Sequence, residues 1–121
     1  MNYQEYTTLN VWQESKQLVV DVYLITTKFP ATEIYGLTSQ IRRCAVSIPS
    51  NIAEGCGRNH VKDSMQFFYI SRGSLYELET QLYISQELNY ISNEELTKIL
   101  NQVVVCKKLL NGFINYFKTK L

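Results

Sequence analysis

The chain of 121 residues is the length of one domain, and 45% of its residues are hydrophobic, which is enough to form a core. Its two prolines, five glycines and 19% charged residues exclude a disordered chain. Twelve basic and eleven acidic residues leave a net charge of +1, which disfavours the strongly basic type of nucleic-acid binder. No apolar run approaches the ~18 residues of a membrane span, and residues 1–5 carry no secretion signal. We therefore expect a single cytoplasmic domain over residues 1–121, without membrane attachment.

The first predicted helix spans about residues 9–28. Thr8 precedes it as the expected N-cap. Pro30 ends the segment, because a proline inside a helix loses a hydrogen bond and clashes with the preceding turn. The apolar positions recur with the helical period; they are Val11, Leu18, Val22, Ile25 and Phe29, broadened by Trp12 and Val19.

The second predicted helix spans about residues 34–57. Pro49 lies inside its apolar pattern, which continues in phase beyond the proline, so we expect a kink or a loosened preceding turn and not an end. The run Gly55-Cys56-Gly57 supplies the C-terminal stop. The apolar positions of this helix are Leu37, Ile41, Cys44, Ile48 and Ile52.

The third and fourth predicted helices span about residues 61–88 and 93–118. The third carries the core stripe Phe68, Ser71, Leu75, Leu78 and Leu82. Ser92 and Glu95, three residues apart, form the capping box typical of a helix start. The fourth carries Leu96, Leu100, Val103, Leu110, Ile114 and Phe117. Four helices joined by short connections, without a strand pattern, predict an all-α fold: an antiparallel up-and-down four-helix bundle.

Catalytic and metal sites find little support in the sequence. His60 is the one histidine, and the three cysteines, Cys44, Cys56 and Cys106, form no CxxC pair. A zinc site, a catalytic triad and a di-iron site built on Glu-x-x-His pairs are therefore disfavoured. We predict no enzymatic activity, no cofactor and reduced thiols typical of a cytosolic protein.

A polar stripe follows the second predicted helix and faces polar residues at matching spacing on the third. Glu77 facing Arg43 would form a charge-assisted hydrogen bond across the bundle. We interpret the stripe as structural polar contacts or a solvated face, with a binding surface as the alternative. Its members are Gln40, Arg43, Ser47, Ser50, Asn51 and Glu54 on the second helix, with Ser74, Glu77 and Gln81 on the third.

Tyrosines recur every seven residues along the third segment. Seven residues are nearly two helical turns, so these side chains lie on one stripe beside the core stripe. Tyrosine is favoured at interfaces, so a subunit interface is predicted, with extended packing inside the chain and stacking on nucleic-acid bases as alternatives. The four residues are Tyr69, Tyr76, Tyr83 and Tyr90.

Basic residues cluster around the second segment and the start of the third. Singly they are solvated charges, but a ring of subunits would repeat each of them and form a site for a polyanion. This set of possible nucleic-acid contacts is Arg42, Arg43, Arg58, Lys62 and Arg72.

The order of several short motifs resembles a known family. They are VWQ at 11–13, YGLTSQIRR at 35–43, SIPSNIAEG at 47–55, GSL at 73–75 and ELETQL at 77–82. The pattern is similar, over about residues 9–117, to the bacterial four-helix bundle family named after the 23S rRNA intervening sequences that encode some members. Two positions depart from it. His60 stands in place of a Ser or Thr helix cap, with Asn59 as an alternative cap, and Ser64 replaces an aromatic or apolar residue.

The resemblance implies a homo-oligomer, a pentameric ring of bundles around a central channel. It also implies a relation to the accessory protein of diversity-generating retroelements, which partners a reverse transcriptase and nucleic acid. It implies no enzyme. We therefore predict a non-catalytic scaffold that binds RNA or a nucleic-acid-processing protein. The alternative is a protein–protein accessory module that does not bind nucleic acid.

Overall fold

The computed structural model describes residues 5–121; residues 1–4, part of the stretch in which no secretion signal was found, lie outside it. Short 3-10 helices at Tyr6–Thr8 and Ala31–Glu33 precede the first two long helices. Within residues 5–121 there is no strand, and none of the helices combines the length and apolarity needed to span a membrane. The long helices are α1 Asn10–Thr26, α2 Leu37–Cys56, α3 Val61–Glu87 and α4 Asn93–Lys118.

Each of the four helices packs against two others and closes a bundle. α1 packs against α2 and α4, and α3 packs against the same two helices, with the most extensive pairing between α2 and α3. Because short connections join successive helices, neighbours along the chain run antiparallel. The predicted all-α four-helix bundle is confirmed for the described residues. Its core takes fully buried side chains from the predicted stripes of all four helices, among them Leu18, Val22, Ile41, Ile48, Ile52, Phe68, Leu75, Leu78, Leu82, Val103, Leu110 and Ile114.

The start of α1 differs from the prediction. Tyr6–Thr8 forms a 3-10 turn in which the Thr8 hydroxyl donates a hydrogen bond to the Glu5 carbonyl at 2.8 Å, so Thr8 is not the N-cap. Leu9 is the N-cap residue instead, and its side chain makes no capping hydrogen bond. α1 ends at Thr26, two residues before the predicted end.

α2 begins at Leu37, three residues later than its periodicity predicts. Ala31–Glu33 instead forms a 3-10 turn, from which Oε1 of Glu33 accepts a hydrogen bond from the Leu37 amide at 3.1 Å. A carboxylate in this place satisfies an unpaired amide and opposes the positive end of the helix dipole. α2 then continues through Pro49 and ends at Cys56, as the in-phase stripe predicts.

The start of α3 lacks a side-chain cap within the described chain. His60 occupies the N-cap position but its side chain accepts no capping bond, and the expectation that Asn59 caps the helix is wrong. Ser64 is fully buried in the first turn, and its hydroxyl donates to the His60 carbonyl at 3.3 Å. The two departures from the family pattern therefore leave α3 intact from Val61.

Asn89 ends α3. Its φ of 61° lies in the left-handed region, which asparagine tolerates better than most other residues with a side chain. The amides of Asn89 and Tyr90 donate back to the carbonyls of Gln86 and Ser85, both at 2.9 Å, which is the Schellman arrangement of a helix C-terminus. Tyr90 therefore lies outside the helix, whose last residue is Glu87.

α4 has the predicted bounds and the predicted cap. The Ser92 hydroxyl accepts a hydrogen bond from the Glu95 amide at 3.1 Å, and the Glu95 carboxylate accepts one from the Ser92 amide at 2.9 Å. The capping box is confirmed. The same carboxylate pairs with Lys28, so the start of α4 is joined to the end of α1.

Candidate binding site between α2 and α3

Small side chains bring α2 and α3 close together. The hydroxyls of Ser47 and Ser74 lie 2.6 Å apart, and the Ser71 hydroxyl donates to the Ile48 carbonyl at 2.7 Å. At the end of α2, Gly55 lies directly against the ring of Phe68, with no room for a Cβ. Ser47 and Gly55 of the SIPSNIAEG run are therefore explained by the α2–α3 contact.

A polar cleft of about 450 Å³ opens along this contact. Five members of the predicted polar stripe come together in it, while Ser74 bonds to Ser47 at its edge. The cleft is lined by Tyr35, Ser39, Gln40, Arg43, Cys44, Ser47, Glu77 and Gln81. Its volume lies in the range of small-molecule pockets.

Three members of the stripe lie away from the cleft lining. The side-chain amide of Asn51 donates to the Ser47 carbonyl at 2.7 Å, one turn back along the same helix. Glu54 forms an ion pair with Arg58 at 3.0 Å. Ser50 instead lines a second, smaller pocket between α1 and α2. The stripe thus divides between a cleft and local contacts of α2.

Arg43 and Glu77 line the same cleft without bonding to each other. Among residues 5–121 no ion pair or hydrogen bond joins them, so the predicted charge-assisted bond is absent. Both side chains are exposed at the cleft rim. The cleft therefore contains one cation and one carboxylate that do not pair with each other.

Gln81 contributes a buried amide to the cleft. The residue is 8% exposed, and its Oε1 accepts no hydrogen bond from any group in the described chain. A buried acceptor without a partner destabilises the folded state by about 1–3 kcal/mol. A native protein holds such a group most readily where a ligand or water supplies the missing donor.

Cys44 is a buried thiol at the base of the cleft. Its Sγ lies 3.1 Å from the Ser74 carbonyl, to which it donates. Burial raises the pKa of the Cys44 thiol to about 12, and the neighbouring Glu77 carboxylate adds to the increase. The thiol is therefore held in its neutral form at pH 7.

The other chemistry-bearing residues of the described chain form no centre. Cys56 and Cys106 are free and buried, and burial raises the pKa of each to about 11. Within residues 5–121 no three His, Cys, Asp or Glu side chains lie close enough together to hold a metal ion.

The basic residues point in different directions within one chain. Arg42 faces α1, where its Nε donates to the Thr26 hydroxyl at 2.8 Å and its guanidinium lies 4.7 Å from the Tyr23 ring centre. Arg43 turns to the opposite side of α2 and lines the cleft. Consecutive positions on a helix differ by about 100°, which separates the two arginines.

The remaining members of the basic set lie at the end of α2 and along α3. Arg58 pairs with Glu54 and stacks over the ring of Phe67 at 4.5 Å. Lys62 is exposed in the first turn of α3. Arg72 lies over Tyr69 at 5.0 Å, on the side of α3 that faces α4. A single chain therefore presents no compact basic patch within the described residues.

Three of the four tyrosines share a stripe on α3. Tyr76 and Tyr83 are 53% and 50% exposed, whereas Tyr69 is half-buried against the core. Ile70 and Ile84 follow the first and third tyrosines and are also exposed. The outer face of α3 thus carries an apolar strip that the bundle does not cover.

Tyr90 does not belong to this stripe, because the left-handed turn at Asn89 ends α3 before it. Its hydroxyl donates to Oε2 of Glu33 at 2.8 Å, and its ring lies 5.2 Å from that of Phe29. This hydrogen bond, together with that from the Leu37 amide, lowers the pKa of the Glu33 carboxyl. Tyr90 joins the α3–α4 connection to the start of α2.

Tyr35 lines the cleft and was not among the predicted site residues. It follows the 3-10 turn and is 95% exposed, so its ring has almost no contact with the rest of the chain. The residue lies inside the second predicted helix, about residues 34–57, but off its apolar stripe, so periodicity did not mark it. The available signal was a tyrosine beside Gly36 in a short connection.

The chain is similar to one protein family and to a solved structure of known sequence family. Residues 7–112 match the family model described as 23S rRNA-intervening sequence protein. A crystal structure of a protein with unknown function, from the S23 ribosomal protein family of Bacteroides thetaiotaomicron VPI-5482, superimposes with a TM-score of 0.77. The two sequences are 24% identical, and the match covers 86% of this chain and 97% of that chain. No curated protein shows significant similarity to the chain.

Proposed function

The chain belongs to the 23S rRNA-intervening sequence protein family, and we propose that it is a non-catalytic binding protein that assembles with copies of itself and binds RNA. The observation that carries the proposal is the uncovered apolar strip on α3, formed by Ile70, Tyr76, Tyr83 and Ile84. Four large apolar side chains exposed on one helix of a protein of this size indicate an interaction site. Tyrosine suits such a site because its ring is apolar and its hydroxyl is polar.

A ring of copies would give the basic residues the density that one chain lacks. The proposed assembly is a homopentamer, the number implied by the family resemblance. Arg58 and Lys62 lie within four residues of each other near the connection between α2 and α3, and both are exposed. Five copies would present ten such charges in a closed array. Phosphate binding scales with the number of cations that displace counterions.

The assembly is tested by solution mass. A pentamer of the 14.1 kDa chain has a mass of about 70 kDa. The double variant Tyr76→Asp with Tyr83→Asp places two charges in the proposed interface and should reduce the mass measured by light scattering. Tyr116→Asp is the matched control, because that tyrosine is 56% exposed on α4, away from the strip. A double variant that keeps the wild-type mass would mean that the α3 strip faces elsewhere.

RNA binding is tested by its salt dependence. The double variant Arg58→Ala with Lys62→Ala should weaken binding of a structured rRNA fragment and flatten the slope of affinity against salt. Lys108→Ala with Lys118→Ala is the control, since it removes the same charge from exposed positions on α4. Arg42 is left unchanged because it holds Thr26 on α1. Equal slopes for the two double variants would overturn the assignment of these residues.

A second candidate function is a protein–protein accessory module that does not bind nucleic acid. It is favoured by the net charge of +1 and by the contacts of Arg42 and Arg58 within the chain. The partner would be a nucleic-acid-processing protein that docks on the assembled bundle. Recovery of a defined protein partner from nuclease-treated extract, with no RNA binding at low salt, would favour this function over the first.

A further inference from the structure

The ring proposed above requires two different contact faces on every chain. Only a two-fold interface pairs a face with itself, whereas a closed ring of more than two copies joins one face of each copy to another face of the next. The exposed apolar strip on α3 therefore needs a second, different surface that receives it on the neighbouring copy.

The pocket between α1 and α2 is an apolar groove of about 270 Å³, called here the α1–α2 groove. Pro49 is buried in it, and Val46 is 38% exposed at its edge. Trp12, the one tryptophan of the chain, is half-buried there. In the described chain α1 packs on α2 and α4 and does not contact α3. The α1–α2 groove and the outer side of α3 therefore lie on opposite sides of the bundle, and one copy can use both at once.

The groove and the α3 strip have the same repeat. Trp12 and Val19 are seven residues apart on α1. Val46 and Ala53 are seven apart on α2, as are the two tyrosines of the strip on α3. Seven helical residues are nearly two turns and span about 10.5 Å. An α3 helix laid along the groove therefore brings one tyrosine to each end of it, between the side-chain rows of α1 and α2.

Charge favours this groove over the pocket between α1 and α4 as the surface that receives α3. Lys16 is the one charged lining residue of the α1–α2 groove in the described chain. The pocket between α1 and α4 is lined by two carboxylates, Asp21 and Glu95, and one lysine. Opposite charges across an interface favour pairing, and like charges oppose it. The exposed charged residues of α3 are mostly acidic: Asp63, Glu77 and Glu87, against Lys62.

We propose that the α1–α2 groove of one copy receives the α3 strip of a neighbouring copy. The proposal rests on the self-assembly in the proposed function and names the second face of that interface. Tyr76 and Tyr83 lie along the groove and contact Trp12 at one end and Val46 at the other. Tryptophan and tyrosine are the residues that most often supply the binding energy at the centre of an interface.

The first test blocks the groove alone. Lys16→Glu with Val46→Glu changes two exposed positions beside the groove and should give a monomer of 14.1 kDa by light scattering. Lys108→Glu with Val105→Glu is the matched control, because it makes the same two replacements at exposed positions on α4 and should keep the wild-type mass. Circular dichroism checks that each variant retains its helix content. A groove variant of wild-type mass, or an equal loss of mass in the control, would overturn the proposal.

Mixing two blocked variants tests whether the two faces bind each other. The Tyr76→Asp, Tyr83→Asp variant keeps an intact groove, and the groove variant keeps an intact strip. At a concentration well above that needed to assemble the intact chain, the mixture should form a dimer of about 28 kDa, twice the 14.1 kDa of one chain, and nothing larger. Variants that remain monomeric when mixed would overturn the proposal. A groove variant that dimerises alone would also overturn it, because the strip would then pair with itself.

Trp12 provides a measurement that needs no substitution in the groove. Because it is the one tryptophan of the chain, its fluorescence reports on the groove directly. The emission maximum of the intact assembly should lie at shorter wavelength than that of the Tyr76→Asp, Tyr83→Asp variant, since a neighbouring α3 excludes water from the indole. Equal maxima in an assembled intact chain and a monomeric variant would overturn the groove assignment and leave self-assembly standing. An intact chain that is monomeric at every concentration would overturn the proposed assembly and this proposal together.

Discussion

Replacing Gly55 by alanine should destabilise the bundle, although alanine is the better helix former. A Cβ at Gly55 would lie 2.9 Å from Cδ1 and 3.0 Å from Cζ of Phe68, and closer still to Cε1. Phe68 cannot move aside, because it is fully buried and its ring packs edge-on against Phe113 and Phe117, each at 4.9 Å. α2 or the aromatic cluster must shift to admit the methyl group.

The expected loss follows from two opposing effects. Overpacking of a closed core costs about 1–3 kcal/mol. Alanine gains up to about 1 kcal/mol over glycine inside a helix, and less in the last turn, where Gly55 lies. The free energy of unfolding should therefore fall by about 1–2 kcal/mol in Gly55→Ala.

Two other glycines supply controls within the same chain. A Cβ at Gly73 on α3 or at Gly112 on α4 meets no atom of the described structure within 4 Å. Gly73→Ala and Gly112→Ala should each raise the free energy of unfolding by about 0.5–1 kcal/mol through helix propensity alone. Urea titrations at one protomer concentration measure all three variants, since assembly makes stability depend on concentration.

If the Gly55→Ala variant is as stable as the Gly73→Ala variant, the close packing of α2 on α3 is refuted. A second substitution tests whether the lost stability comes from the contact between Gly55 and Phe68. Phe68→Leu removes the ring that the new methyl group meets, so it should cost less stability in the Gly55→Ala background than in the wild-type chain. Additive losses would place the effect of Gly55→Ala outside this contact.

Three further predictions concern local contacts. Tyr90→Phe removes a hydrogen bond that lowers the pKa of Glu33 in the folded protein. The loss of unfolding free energy, measured by urea titration, should be full above pH 4.5, the ordinary pKa of a carboxyl. It should shrink as the pH falls through the lowered pKa of Glu33 in the folded state. An effect that persists unchanged at pH 2 would contradict the Glu33 contact. Asn89→Ala should lower the free energy of unfolding by about 1 kcal/mol relative to Asn89→Gly, because φ is 61°; equal stabilities would argue against the left-handed turn. Thr38→Val should raise the melting temperature, since the buried hydroxyl has no partner in residues 5–121 and its removal gains about 1 kcal/mol; a fall would show that the hydroxyl is bonded.

The sequence predicted a helix boundary correctly where the residues that fix it lie at the helix end itself. The Ser92–Glu95 box marks the start of α4 because both bonds are made within four residues. The start of α2 was misplaced because Glu33 sets it from a preceding 3-10 turn, which periodicity does not detect. The tyrosine spacing was extended to Tyr90 because a left-handed asparagine has no signature in an apolar pattern.

The candidate site was predicted only in part. The polar stripe on the second and third helices supplied most of the cleft residues, since facing helices bring matched spacings together. The predicted pairing of Arg43 with Glu77 is absent from the described residues. Residue spacing along two helices does not fix the distance between long side chains that face each other across the helix–helix contact. The position of Tyr35 at the cleft and the lack of a described partner for Oε1 of Gln81 result from tertiary packing, which residue spacing does not predict.

We propose above all that the assembled protein binds RNA through repeated positive charges. The most direct test is the affinity of the purified, nuclease-treated protein for structured rRNA fragments across a salt series, with duplex DNA for comparison. Binding should be tight near physiological salt and should weaken with a slope equivalent to several phosphate contacts. Absence of RNA binding even at low salt would contradict it.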